Sequence, residues 1–209
     1  MEKKKQTVID CDEIKRFECL LNTFARLPKI DEEPTFLEIC RYPYNRFEEV
    51  CSRILKFFLN PKAEHGLRDL WLVSLLEVAG KSGFHSYMQE VAVASEVYAN
   101  GKRIDLLIAS NDYVIAIENK ITADIYNPFD IYREYIEDRY KEKEKILLVL
   151  SAKPVLNLHS IIGSEYQWCS YHDLFEAVRK HLGDYIACAN QKYLIFMLDF
   201  MRTIDNEVI

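Results

Sequence analysis

Apolar residues recur every three or four positions over much of the chain, which is the period of a helix with one buried face. The clearest case lies between residues 45 and 59, where the apolar positions are Phe47, Val50, Cys51, Ile54, Leu55 and Phe58. Asn60-Pro61 ends this segment, because proline cannot continue a helix. Such patterns predict helices at about residues 8–27, 45–59, 67–78, 127–140, 172–182 and 185–204.

The middle of the chain has a different pattern, made of short runs rich in valine and isoleucine. With turn residues such as Gly101 between them, these runs predict strands at about residues 87–98, 103–109 and 113–121. The continuous apolar run at 146–150 predicts a strand buried on both faces, and a short strand is predicted at 167–170. This order of elements predicts an α/β protein in which a mixed sheet is flanked by helices.

Composition restricts the functions that such a fold can carry. The chain has 209 residues, of which 49% are hydrophobic, and only 6 are glycine and 6 proline, so a disordered or fibrous protein is excluded. The formal net charge is −6, which excludes a protein that holds nucleic acid by bulk positive charge. Contact with phosphates then requires a local basic face or a metal ion.

The cysteines and the apolar runs bear on the compartment. Six cysteines form no CxxC pair, and Cys19, Cys51 and Cys188 lie in apolar helical patterns, which predicts reduced, packed thiols. No apolar segment follows the basic start of the chain, and the longest apolar runs are too short to span a bilayer. We therefore expect a soluble cytoplasmic protein with no membrane partner.

Two of the predicted strands contain charged residues that their apolar pattern does not explain. Asp105 lies inside one apolar run, and Glu118 and Lys120 interrupt the next. Strand side chains alternate between faces, so Glu118 and Lys120 share a face. If the intervening loop has two or four residues, Asp105 lies opposite Glu118 or diagonal to it on that face. A three-residue loop would place Asp105 on the other face unless a bulge corrected the register.

Two neighbouring carboxylates on a half-buried surface need a cation or a shared proton, because they repel each other and are poorly solvated. Oxygen ligands of this kind suit Mg²⁺ or Mn²⁺. The alternative is a set of structural salt bridges, in which Asp105 pairs with Arg103 or Lys120, and Glu118 with Lys120.

A third carboxylate follows from the helix predicted at 45–59. With about 100° of rotation per residue, Glu48 lies between Leu55 and Leu59, at the edge of the buried face. From there Glu48 can point into a site, or it can extend to water as a rim charge.

These residues resemble the signature of the PD-(D/E)XK nuclease superfamily, and in particular a branch of bacterial proteins within it. The resemblance covers roughly Pro34 to Pro154. The stretches that carry it are Phe36-Leu37-Glu38-Ile39, Ile54-Leu55-Lys56-Phe57-Phe58-Leu59-Asn60-Pro61, His65-Gly66-Leu67, Lys102-Arg103-Ile104-Asp105 and Ile117-Glu118-Asn119-Lys120-Ile121. It implies a restriction-endonuclease-like core at 34–170, an N-terminal helical extension at 1–33, and C-terminal helices at 171–209 that pack on the same domain.

The resemblance also implies an activity, namely hydrolysis of DNA phosphodiester bonds with Mg²⁺ or Mn²⁺. It implies that Asp105, Glu118 and the backbone carbonyl of Asn119 are metal ligands and that Lys120 orients the attacking water. Glu48 matches the acidic residue of the first core helix. The accessory positions are Glu96, which matches an acid upstream of Asp105, and Tyr132, whose place on an apolar helix face also fits a core residue.

One position departs from the family pattern, because Pro128 stands where many members have a glutamine ahead of the tyrosine. The basic residues Arg133 to Lys145 alternate with acidic ones, which indicates a solvated helix end more than a DNA-binding face. Two other functions therefore stay open. One is an inactive nuclease-fold module that binds nucleic acid or a protein. The other is a helical interaction protein that forms a homodimer through the helices predicted at 8–27 and 185–204.

Overall fold

A computed structural model describes residues 11–24, 33–40, 46–82, 91–121, 128–154 and 165–208. The chain divides into two compact units, residues 1–34 and 35–209. In the first unit, helix α1 covers Cys11–Phe24 and exposes Leu20 and Leu21. The helix predicted at 8–27 and the strand predicted at 87–98 each extend past these ranges, and those parts lie outside the described residues. The predicted domain boundaries stay a prediction.

The second unit is built on a five-stranded mixed sheet. Its strands are β1 (Ala92–Ala99), β2 (Lys102–Ala109), β3 (Tyr113–Lys120), β4 (Glu144–Ser151) and β5 (Tyr166–Ser170), in the order β1-β2-β3-β4-β5. The strands β1, β2 and β3 are antiparallel neighbours, whereas β3, β4 and β5 run parallel. The predicted mixed sheet is therefore confirmed, and it excludes the purely helical alternative.

Helices cover both faces of this sheet. They are α2 (Phe36–Cys40), α3 (Phe47–Leu59), α4 (Leu70–Val78), α5 (Phe129–Arg139), α6 (Tyr171–His181) and α7 (Gln191–Val208). The short helix α2 was not predicted from the pattern. The last helix begins at Gln191 instead of residue 185, because 3₁₀ turns at Leu182–Asp184 and Ile186–Cys188 take the place of its first turns. No helix within the described ranges is long and apolar enough to cross a bilayer.

Apolar side chains form a core on each face of the sheet. The first core lies under α3, α4, α6 and α7, and includes the fully buried Trp71 and Phe175. The second core lies under α5, whose Phe129 and Ile136 pack with Val114 and Leu147 of the sheet. Burial of these side chains is the main term that stabilises the unit. Alternation along β3 sends odd-numbered residues such as Ile117 into the first core and even-numbered residues toward the second.

The five thiols whose surroundings the structure describes are free, and three of them are exposed. Among the described side chains, Cys51 and Cys169 are buried, whereas Cys19, Cys40 and Cys188 are exposed. The prediction that Cys19 and Cys188 are packed is therefore wrong. Periodicity located Cys188 in a helix, but the chain there forms a 3₁₀ turn that presents it to solvent.

The turn between α3 and α4 is held by a buried histidine. The Leu67 backbone N–H donates to Nδ1 of His65 over 2.9 Å, and Nε2 lies 3.0 Å from the Asn60 carbonyl oxygen, to which it donates. Burial lowers the pKa of His65 below its ordinary value of 6.5. His65 is thus a neutral structural residue.

This histidine makes folding stability depend on pH. A lowered pKa in the folded state means that the unfolded chain binds more protons, so the contribution of His65 is fully present above pH 6.5 and is lost as pH falls below it. We expect the stability difference between wild type and His65→Gln to be larger at pH 7.5 than at pH 5.5, as measured by urea unfolding. An equal difference at both pH values would contradict this.

Candidate active site

Asp105 and Glu118 meet where β2 and β3 separate. The hairpin pairs Leu106 with Ile117, which is the register of a four-residue loop and places Asp105 beside Glu118. The ladder ends there, and Oδ2 of Asp105 accepts a hydrogen bond of 2.8 Å from the backbone N–H of Asn119. The two carboxyl groups interact directly. Of the registers that the sequence left open, the structure has the one that puts Asp105 and Glu118 on the same face.

Lys120 links the pair to the first core helix. Its Nζ lies 3.0 Å from Oε1 of Glu118 and 3.5 Å from Oε2 of Glu48. Glu48 is in the first turn of α3, and its Oε1 accepts a 2.9 Å hydrogen bond from the Ile121 backbone N–H. The side chain of Glu48 is 24% exposed, as its angle on the helix predicted. Three acids and one lysine therefore converge at the end of β3.

The electrostatics of this cluster are unusual. Burial raises the pKa of Glu118 to about 8, with the charge of Asp105 as the second cause. Burial also raises the pKa of Asp105, against the opposing hydrogen bond from Asn119. For Lys120, burial acts to lower the pKa, but the carboxylates of Glu118 and Glu48 outweigh it and raise the pKa. The raised pKa favours the protonated form of Lys120, which lies beside two acids that resist full ionisation together.

Behind the acids, a buried amide holds β3 in place. The side chain of Asn119 is fully buried and points away from Glu118. Its Nδ2 donates to the Glu48 carbonyl oxygen over 3.0 Å and to Oγ of Ser52 over 2.9 Å, and its Oδ1 accepts from the hydroxyl of Tyr171 over 2.7 Å. One amide thus joins β3, α3 and α6. From the sequence, only the backbone of Asn119 was assigned a role. The signal for its side chain is a polar residue on the buried face of an apolar strand.

Tyr171→Phe tests this connection. Loss of the hydroxyl leaves the buried Oδ1 of Asn119 without its donor, which we expect to lower the free energy of unfolding by about 1–3 kcal/mol. Ser52→Ala should cost less, because Nδ2 of Asn119 keeps the Glu48 carbonyl. Urea unfolding of both variants gives the comparison. A smaller loss for Tyr171→Phe than for Ser52→Ala would count against this account.

Comparison with known families identifies this arrangement of strands and acids. The family model of the PD-(D/E)XK nuclease superfamily matches residues 36–202, which is most of the chain. The chain belongs to the PD-(D/E)XK nuclease superfamily. No match was found among curated proteins. The resemblance and the restriction-endonuclease-like fold inferred from the sequence are thereby confirmed.

Members of this superfamily usually use divalent metals, and such ions require oxygen ligands. No group of three His, Cys, Asp or Glu side chains able to hold a metal is present in the described part of the chain. The available donors are the carboxylates of Asp105 and Glu118, with backbone oxygen beside them. A buried and a half-buried acid that repel each other fit a hard divalent cation, which would compensate their charge.

The two accessory positions have different surroundings. Glu96 has a positive φ of 56° within β1 and forms a 2.8 Å ion pair with Arg103. Its charge is close enough to contribute to the raised pKa of Asp105. Tyr132 is buried in the second core, and its hydroxyl donates to the Arg103 carbonyl oxygen over 2.6 Å. Arg103 thus pairs with Glu96, and the alternative in which it pairs with Asp105 is not what the structure has.

Most of the basic residues between Arg133 and Lys145 form ion pairs or hydrogen bonds with nearby residues. Arg133 pairs with Glu165 at 2.8 Å and with Asp130 at 3.3 Å, and Lys141 pairs with Asp138. Lys143 donates to the Ser110 carbonyl oxygen. These contacts are those of a solvated helix end, as the alternating charges indicated.

Proposed function

We propose that this protein hydrolyses DNA phosphodiester bonds with Mg²⁺ or Mn²⁺. The observation that carries the proposal is the buried Glu118 beside the half-buried Asp105, with Nζ of Lys120 3.0 Å from Oε1 of Glu118, in a chain that belongs to a nuclease superfamily. Asp105 and Glu118 would hold the cation, and the Asn119 carbonyl would be a further ligand. The backbone N–H of Asn119 donates to Asp105. The N–H and C=O of a strand residue point to the same side of the strand, so the Asn119 carbonyl also points toward Asp105, which supports its role as a ligand.

The chain's own residues then have separate roles. A bound divalent cation would neutralise phosphate charge and lower the pKa of water. Lys120, whose Nζ lies 3.0 Å from Oε1 of Glu118, would hold the attacking water and stabilise the charge that develops on the phosphate. Glu48 positions Lys120 and the end of β3 through its two carboxylate oxygens. Products with a 5′-phosphate and a 3′-hydroxyl follow from the resemblance.

A cytoplasmic location is part of the proposal. The cysteines in the described part of the chain are free thiols, which suits a reducing compartment. Dimerisation through the terminal helices stays a prediction.

The proposal is tested by incubating circular and linear DNA with the protein in Mg²⁺, in Mn²⁺ and in EDTA. We expect cleavage with either metal and none in EDTA. Glu48→Gln should slow cleavage, whereas Glu49→Gln should not, because Glu49 pairs with Arg53 on the outer side of α3. Cleavage that persists in EDTA would contradict the proposal. Absence of cleavage together with absence of Mn²⁺ binding would favour the inactive binding module.

A further inference from the structure

A partly exposed tryptophan lies on the same face of the sheet as the acids. Trp168 of β5 is 37% exposed. In the register of the parallel strands, Glu118 pairs with Val149 of β4, and Val149 pairs with Trp168. Paired residues of parallel neighbours share a face, and two strand spacings amount to about 10 Å. Trp168 therefore lies within the length of a dinucleotide from Glu118.

The indole is fixed in the direction of the site. Its Nε1–H donates to Oγ of Ser151 over 2.7 Å, and this hydroxyl donates to the Lys153 carbonyl oxygen over 2.7 Å. Ser151 is the residue of β4 that pairs with Lys120. The ring thus leans toward the strand end where Lys120 lies, with its only polar group satisfied and part of its apolar surface in water.

We propose that Trp168 is a stacking platform for an unpaired nucleobase next to the phosphate that is cleaved. This inference rests on the proposed function and adds a substrate class to it. A base can stack on an aromatic side chain only when its own face is free, as in a single strand, a frayed end or a flipped nucleotide. The preferred substrate is therefore DNA with an unpaired nucleotide beside the cleaved bond.

The two tryptophans of the chain provide a direct binding signal. Trp71 is fully buried and stacks on Phe58 in the first core, so quenching of tryptophan fluorescence by DNA reports on Trp168. Binding is measured in EDTA, where the proposed hydrolysis does not occur. The probes are a blunt duplex of two annealed strands, the same duplex with a short single-stranded overhang, and that overhang with abasic residues.

We expect the overhang to quench the fluorescence, and the blunt and abasic probes to do so weakly. By anisotropy of a labelled overhang probe, Trp168→Leu should bind roughly 10- to 100-fold more weakly, whereas Trp168→Phe should keep most of the affinity because it retains a ring. The matched control is Phe36→Leu, which removes an exposed aromatic ring on α2, beside α7 in the first-core layer.

Several results would overturn this inference. They are equal binding of the overhang by Trp168→Leu and wild type, equal quenching by blunt and overhang DNA, and absence of quenching by any probe. A dimer in gel filtration that Trp168→Leu converts to a monomer, without quenching by DNA, would assign the ring to a protein contact instead. Quenching without cleavage in Mg²⁺ would retain the stacking site and reject the hydrolytic function, so the two failures are distinguishable.

Discussion

Replacing Glu118 by glutamine is expected to abolish DNA cleavage, and replacing Lys120 by methionine to slow it by about 10²- to 10³-fold. Both changes act at the same 3.0 Å contact but remove different functions. Glutamine removes the charge of a proposed metal ligand. Methionine keeps the length of the lysine stem and removes only the cation that would stabilise the developing phosphate charge.

Calorimetric titration with Mn²⁺ separates these roles. Glu118→Gln should lose metal binding, since a neutral amide is a poor substitute for a carboxylate ligand. Lys120→Met should bind Mn²⁺ at least as tightly as wild type, because a positive charge has left the neighbourhood of Glu118. Cleavage at the wild-type rate by either variant would show that the reaction takes place elsewhere.

The expected loss of cleavage by Glu118→Gln does not come from unfolding of the variant. Glu118 is 3% exposed and lies against Asp105, so its negative charge is both desolvated and repelled. A neutral isostere relieves both costs, and we expect the variant to unfold at the same urea concentration as wild type or a higher one. Such a gain in stability on loss of function is typical of functional residues.

Replacing Gly66 by alanine is expected to lower the free energy of unfolding by about 3–5 kcal/mol. Gly66 has a φ of +71°, and a Cβ there would lie 2.2 Å from the Cys188 carbonyl oxygen. The Asn190 N–H also donates to the His65 carbonyl oxygen over 2.9 Å, so backbone lies against backbone. To relieve this overlap, the turn that contains Gly66 has to move away from the backbone of residues 188–190.

Two other glycines separate the costs of this substitution. Gly80 also has a positive φ, of 66°, but a Cβ there meets nothing within 4 Å, so Gly80→Ala should cost only about 1–2 kcal/mol. A Cβ on Gly183 meets nothing either, and no positive φ is involved, so Gly183→Ala should be tolerated. Urea unfolding of the three variants tests the order. If Gly66→Ala and Gly80→Ala lowered the free energy of unfolding equally, the overlap of the Gly66 Cβ with the Cys188 carbonyl would be relieved at no cost.

Much of the sheet and of the acidic cluster could be predicted from local pattern. Strand alternation placed Glu118 and Lys120 on one face, and helical rotation placed Glu48 at the edge of α3. These predictions succeeded because they depend on the geometry of a single element. The register of Asp105 stayed open until the loop length was known, since one residue more or less reverses the face.

What the pattern missed depends on partners far along the chain. The hydrogen bond from Tyr171 to Asn119 spans 52 residues, and nothing local to either residue predicts it. Exposure of Cys188 depends on the 3₁₀ turns before α7, which replace a helix that periodicity favoured. Periodicity indicates which face of an element is apolar, but not which element covers it.

The Asn119 amide also joins segments that are synthesised at different times. It gathers Glu48 and Ser52 from an early segment, β3 from the middle, and Tyr171 from a segment that leaves the ribosome later. A nascent chain that ends before Tyr171 lacks the donor that completes this cluster. The hydrogen-bond network behind Asp105 and Glu118 is therefore complete only after the segment that carries Tyr171 has been synthesised.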